Sequence, residues 1–127
     1  MRIVSFQWGG QTRSFTPTMT VLAAMASDLA RVSEGAENTL SLAQKMNAGG
    51  ADPVFAATAL WHLLRASGAD LTRDQAYEQM MGDQISLIDK AEFRMAYLQS
   101  VLPSVDMGKK PEAPAAPPSQ PKARRKK

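Results

Sequence analysis

A chain of 127 residues has room for one domain and a tail. It contains no cysteine, which excludes disulfides, thiolate metal sites and cysteine nucleophiles and suits a reducing cytosol. The net charge of +3 averages two opposed parts: up to Gly108, eight basic residues meet eleven acidic ones, and from Lys109 seven basic residues face Glu112 alone.

The start, Met1 to Trp8, carries one positive charge and no long apolar run, so neither a signal peptide nor a membrane span is expected there. Residues 2–8 and 11–16 flank Gly9-Gly10. Two β-prone runs around a Gly-Gly pair predict a hairpin over about 2–16, because both central positions of a type I′ turn need positive φ. A two-residue loop pairs Trp8 with Gln11, Phe6 with Arg13 and Val4 with Phe15. Val4, Phe6, Trp8 and Phe15 then share one face, over which Arg13 can stack on a ring. A lone hairpin is marginal in water, so that face must pack on helices or on another chain.

Pro17 ends the second strand, and Thr18 caps a first helix over about 19–32, with Val21, Leu22, Met25, Leu29 and Val32 at helical spacing. Asn38 caps a shorter second helix that turns Leu40, Leu42, Ala43 and Met46 inward and closes at Gly49-Gly50. The central stretch runs from Asp52 to Gly68. Asp52 suits the N-cap, Pro53 the first helical position, and Gly68 the left-handed residue past the end. Val54, Phe55, Leu60, Trp61, Leu63 and Leu64 surround this helix, which places it in the middle of a bundle. Thr72-Arg73-Asp74-Gln75 has the form of a capping box and opens a fourth helix that Gly82 stops. Asp83 is expected to cap a fifth helix, with Ile85, Leu87, Ile88, Phe93, Tyr97, Leu98 and Val101 as its apolar residues and Pro103 limiting it.

The expected fold is therefore mainly α: a helical domain over 1–106 of about five helices with an N-terminal β-hairpin. Residues 107–127 hold five of the eight prolines together with alanine, serine and lysine. Ordering them would cost entropy with little to bury, so they are read as a disordered tail.

Little in the chain suggests a reaction. His62 is the only histidine, with no clustered acids beside it, and is read as structural. Asp52, Asp70, Asp74 and Asp83 sit at helix starts, where the helix dipole accounts for them. Neither Gly-Gly pair is followed by the Lys-Ser/Thr of a phosphate loop. No catalytic residue, cofactor or metal is assigned. Methionine is abundant, at eight residues. It fills gaps in cores and also serves surfaces that accept varied apolar partners. Met80 and Met81 are adjacent on a helix, so they point about 100° apart and one of them should be exposed.

The order of features resembles the small tail assembly chaperones of long-tailed bacteriophages and gene transfer agents. The pattern is a strand, Gly turn and returning aromatic strand at Phe6-Gln7-Trp8-Gly9-Gly10-Gln11-Thr12-Arg13-Ser14-Phe15, then a Leu/Ala-rich helix from Met19 to Arg31. A Leu-containing helix closing in Gly-Gly, the Leu-Leu-Arg-Ala-Ser-Gly helix end and the Leu71-Thr72-Arg73-Asp74-Gln75 start complete it, over about residues 3–102. The Pro- and Lys-rich end departs from it. The resemblance implies a protein that is not an enzyme. It would bind the long apolar tape measure protein in the host cytoplasm, help recruit tail tube subunits, and leave before the particle is finished. A homo-oligomer is left open, and no membrane partner is implied. Partner contacts are expected on Phe6 and Trp8 of the hairpin, on Met80 and Met81, and on Met95 with the outer face of the last helix. The hairpin edge offers strand addition to a second copy or to a tube subunit.

Two alternatives remain: a structural tail or connector component, which would be found in purified particles, and a small nucleic-acid-associated protein acting through its basic end. The second requires DNA binding that falls steeply with salt and vanishes when residues 109–127 are removed, as a filter-binding series would show. The segment Lys122-Ala123-Arg124-Arg125-Lys126-Lys127 has no aromatic to stack on bases, so only non-specific contact is expected.

Overall fold

The computed structural model describes residues 2–102. Two strands, β1 (Val4–Trp8) and β2 (Gln11–Phe15), precede five helices: α1 (Met19–Val32), α2 (Thr39–Asn47), α3 (Pro53–Ala66), α4 (Arg73–Met81) and α5 (Leu87–Val101). The mainly α fold with an N-terminal hairpin is the one expected. The expected tail lies outside the described residues. No described helix is long and apolar enough to cross a membrane.

The hairpin has the expected register, with Val4 opposite Phe15, Phe6 opposite Arg13 and Trp8 opposite Gln11. Gly9 and Gly10 have φ of 63° and 83°, the left-handed values that a side chain would resist. Alternation puts Val4, Phe6, Trp8 and Phe15 on one face, and all four are buried. Their cover is α5. Phe93 sits 6.1 Å from Phe6 and 6.0 Å from Trp8, centroid to centroid, and Tyr97 lies 6.5 Å beyond Phe93. Most of these rings meet edge to face, the arrangement that their quadrupoles favour. Polar ties complete the docking. The Trp8 indole donates to Gln79 Oε1 on α4 at 2.7 Å, and Arg2 donates to the Gln99 carbonyl on α5 at 2.5 Å.

α3 is the middle of the bundle and packs against α1, α2, α4, α5 and β2. It buries Ala56, Ala57, Thr58, Ala59, Leu60, Leu63 and Leu64; the alanines let neighbouring helices approach closely. Its signals act as read: Asp52 accepts from Val54 N at 2.8 Å, Pro53 is the first helical residue, and Gly68 has φ of 96°. The Thr72–Gln75 capping box of α4 is also present, in both directions. Gly82 stops α4 without turning left-handed. Its backbone is extended, and a Cβ there would lie 2.9 Å from the Glu78 carbonyl oxygen, so glycine is needed for close approach.

Three expectations are corrected. Leu40 is exposed, because α2 turns Leu42, Ala43 and Met46 inward and Leu40 stands about 200° from Leu42 on the helix. The fifth helix is capped by Ser86, not Asp83; Ser86 Oγ accepts from Asp89 N at 3.0 Å. Residues 82–86 form a connection in which Ile85 is buried against the hairpin turn, where a Cβ on Gly9 would meet its Cδ1 at 3.4 Å. Leu87 and Ile88 are then left outside the core. Arginine–aromatic stacking occurs on Trp61 and not on the hairpin, while Arg13 Nε is buried with no hydrogen-bond partner.

Removing the indole tests the hairpin's dependence on helical cover. Trp8→Ala should lower the urea-unfolding free energy by about 3–5 kcal/mol, and Trp8→Phe by about 1 kcal/mol through the orphaned Gln79 amide.

Candidate functional site

α5 has more apolar residues than one face can hold. Ile88 and Tyr97 stand nine positions apart, about two and a half turns, so they lie on opposite sides of the helix. The side with Phe93, Ala96 and Tyr97 is taken by the hairpin and α2. The other side is bare: Leu87 is 81% exposed, Ile88 73% and Met95 40%. Ile88, Ala91, Met95 and Gln99 line a shallow groove of about 310 Å³, bounded on its far wall by Ser5 of β1. Ile3, next but one to Ser5, is also exposed. Scattered surface leucines are ordinary, but a run of apolar side chains along one helix face is a candidate contact surface.

The structure distributes the expected contact residues differently. Met95 belongs to this groove. Met81 is 54% exposed at the end of α4, and Met80 beside it packs against the core, as their angular separation required. Met81 is not among the residues that line the Met95 groove. Phe6 and Trp8 are corrected. They are 2% and 3% exposed and form the hairpin's buried face, so they present nothing to a partner. Ile88, Leu87 and Ile3 are the members that the sequence reading did not select. The helical arithmetic from Ile88 to Tyr97 was the available signal, once the helix start was placed at Ser86.

The hairpin edge is also less open than expected. The outward amide of Gln7 donates to Glu92 Oε1 at 2.9 Å, and that of Gly9 to Asp89 Oδ2 at 3.1 Å. Two α5 carboxylates thus occupy the β1 flank where a further strand would bond. β2 has no neighbouring strand on its outer side. It carries the inward-turned Arg13, a charge placement that discourages edge pairing.

The chain's ionisable groups gather at Asp28, a buried carboxylate on α1. It accepts from Arg31 at 2.5 Å, from His62 Nε2 of α3 at 2.8 Å, and from Arg73 at the start of α4. The Arg73 guanidinium also lies 4.0 Å over the Trp61 ring, with Arg65 on the same ring at 5.2 Å. Burial pushes the Asp28 carboxyl up, but bonds from Arg73, His62 and Arg31 outweigh it and hold the group at about 2, below its ordinary 3.8. Burial pushes His62 down, with Arg73 and Arg65 adding to that, against the opposite pull of Asp28. A histidine and an aspartate in contact are half of a nucleophile-activating set. The remaining partners of this carboxylate are both guanidiniums, so the cluster acts as a three-helix tie. A second tie joins Glu37 to Lys45 and to Ser41 Oγ at 2.5 Å, next to the Tyr97 hydroxyl, which donates to the Thr39 carbonyl at 2.7 Å. Among the described residues no three His, Asp or Glu side chains are grouped to hold a metal ion.

No family model, curated protein or solved structure matches the chain.

Both ends of the Asp28–His62 pair make acid destabilising. His62, lowered in the fold, binds its proton more readily when unfolded, so stability falls as pH drops below 6.5 towards the folded value. Asp28, also lowered, contributes stability that is complete above 3.8 and is lost as pH falls to about 2. That second contribution is at most about 2 kcal/mol, since the Arg31 and Arg73 side chains are 65% and 47% exposed. Asp28→Asn should therefore be destabilised at neutral pH, and its deficit against the parent should shrink between pH 4 and 2 in urea titrations.

Proposed function

We propose that the chain is a tail assembly chaperone of the phage type. It binds an apolar helical stretch of the tape measure protein, keeps that protein soluble, and helps bring tail tube subunits to it. The observation that carries this reading is the bare apolar face of α5 beside β1, with Ile88, Ala91 and Met95 along its groove. A long helix with an exposed apolar stripe aggregates unless something covers the stripe, and an apolar helix face does so at i, i+3, i+4 and i+7 anchors. A flexible thioether such as Met95 accepts successive, non-identical segments of a long client. The layout of the sequence over residues 3–102 supports the same reading. The expected host cytoplasm and absence from the finished particle belong with it.

The test is co-expression with the tape measure protein. The parent chain should hold that protein in the soluble fraction and co-elute with it. Ile88→Asp combined with Met95→Asp should reduce the recovered complex at least about tenfold, with a melting temperature within about 2 °C of the parent because both sites are exposed. A client that stays insoluble, with no complex eluting, overturns the reading.

A further inference from the structure

α5 has a third side. Roughly opposite its bare groove, a cavity of about 190 Å³ opens where α2, α3, α4 and α5 converge. Its lining is apolar: Met46 and Phe93 form a buried floor, with Ala51 and Met80 half-buried at the walls. An apolar space of about 150 Å³ holds a benzene-sized group, so this one takes a single branched or aromatic side chain. The rim carries Lys90 and Arg94 one turn apart on α5. Lys90 spends one donor on the Gly82 carbonyl at 2.7 Å and keeps the others, and Arg94 makes no ion pair among the described residues. The acids nearest in sequence, Asp89 and Glu92, are turned to the hairpin amides. An exposed Arg94 and a partly engaged Lys90 thus set positive charge beside an apolar hole.

We infer that this cavity is a second docking site, and that its occupant is a partner helix with one large apolar residue flanked by carboxylates. The apolar residue enters between Met46 and Met80, and the carboxylates meet Lys90 and Arg94. Charge complementarity selects the occupant: the chain's own basic end would be repelled from this rim. The inference deepens the chaperone reading, on which it rests, by giving the second contact of the client a chemistry. Two sites on opposed sides of α5 let one copy hold two segments of a long client.

The experiment uses the full chain with ¹³C-methyl methionine and two capped helical peptides. One carries a leucine with glutamates four residues to either side; the other has lysines in place of the glutamates. The glutamate peptide should shift the Met46 and Met80 methyl signals and leave Met95 unmoved. Arg94→Glu, at an exposed position, should weaken it at least about tenfold and favour the lysine peptide instead. Ala51→Phe, which fills the cavity, should abolish both effects. Equal binding of the two peptides to the parent overturns the inference, as does the absence of binding. Peptide binding that shifts only Met95 and is lost in Ile88→Asp also overturns it, while leaving the chaperone reading intact. If dodecanoate shifts Met46 and Met80 and the glutamate peptide does not, the cavity serves a small amphiphile and the inference falls.

Discussion

A two-stranded sheet cannot stand alone in water, and the C-terminal half of this molecule is shaped by how its hairpin is covered. Val4, Phe6, Trp8 and Phe15 turn one continuous apolar face inward, and α5 receives it through Phe93 and Tyr97. That contact joins the two ends of the described chain, so forming it closes a long loop at an entropic cost. It also decides the chemistry of α5. The helix gives its aromatic side to the hairpin and two of its carboxylates to the amides of Gln7 in β1 and Gly9 in the turn. What remains for solvent is an apolar strip and a pair of cations.

The helices were legible in the sequence where local chemistry sets them. Asp52-Pro53, Thr18, Asn38 and Thr72 each place a cap that the structure uses, since a cap acts within four residues and needs no tertiary context. Gly9-Gly10 fixed the register for the same reason. The start of α5 was not legible, because Asp83 and Ser86 are both good caps and only the burial of Ile85 against the hairpin turn chooses between them. The exposed apolar strip depends on that choice. Composition and angle point to exposure at Met81, whereas Ile88 and Leu87 are placed outside only once the helix starts at Ser86. Phe6 and Trp8 were misread as contact residues, since sequence says that an aromatic face needs cover and does not say by what. The Asp28 cluster was only partly legible: Arg31 is its i+3 neighbour on α1, but His62 and Arg73 lie 34 and 45 positions away and meet it only through helix packing.

The same helix serves structure on one side and, in the function proposed, recognition on others, which limits how it can vary. Phe93, Ala96 and Tyr97 are bound by packing density, and a change of one methylene there is felt throughout the junction with β1 and α2. Ile88, Ala91 and Met95 have no such constraint from the fold. Their apolar character is what the proposed client contact would account for.

α4 differs from its neighbours in what holds it. Ala76 is its one fully buried residue, with Met80 packed against the core beside it. It is fastened also at three polar points, Arg73 to Asp28 at its start, Gln79 to Trp8 near its end, and the Gly82 carbonyl to Lys90 just beyond. The wall that carries Met80 is thus seated by charge and hydrogen-bond partners on α1, β1 and α5 as well as by its packing on the core.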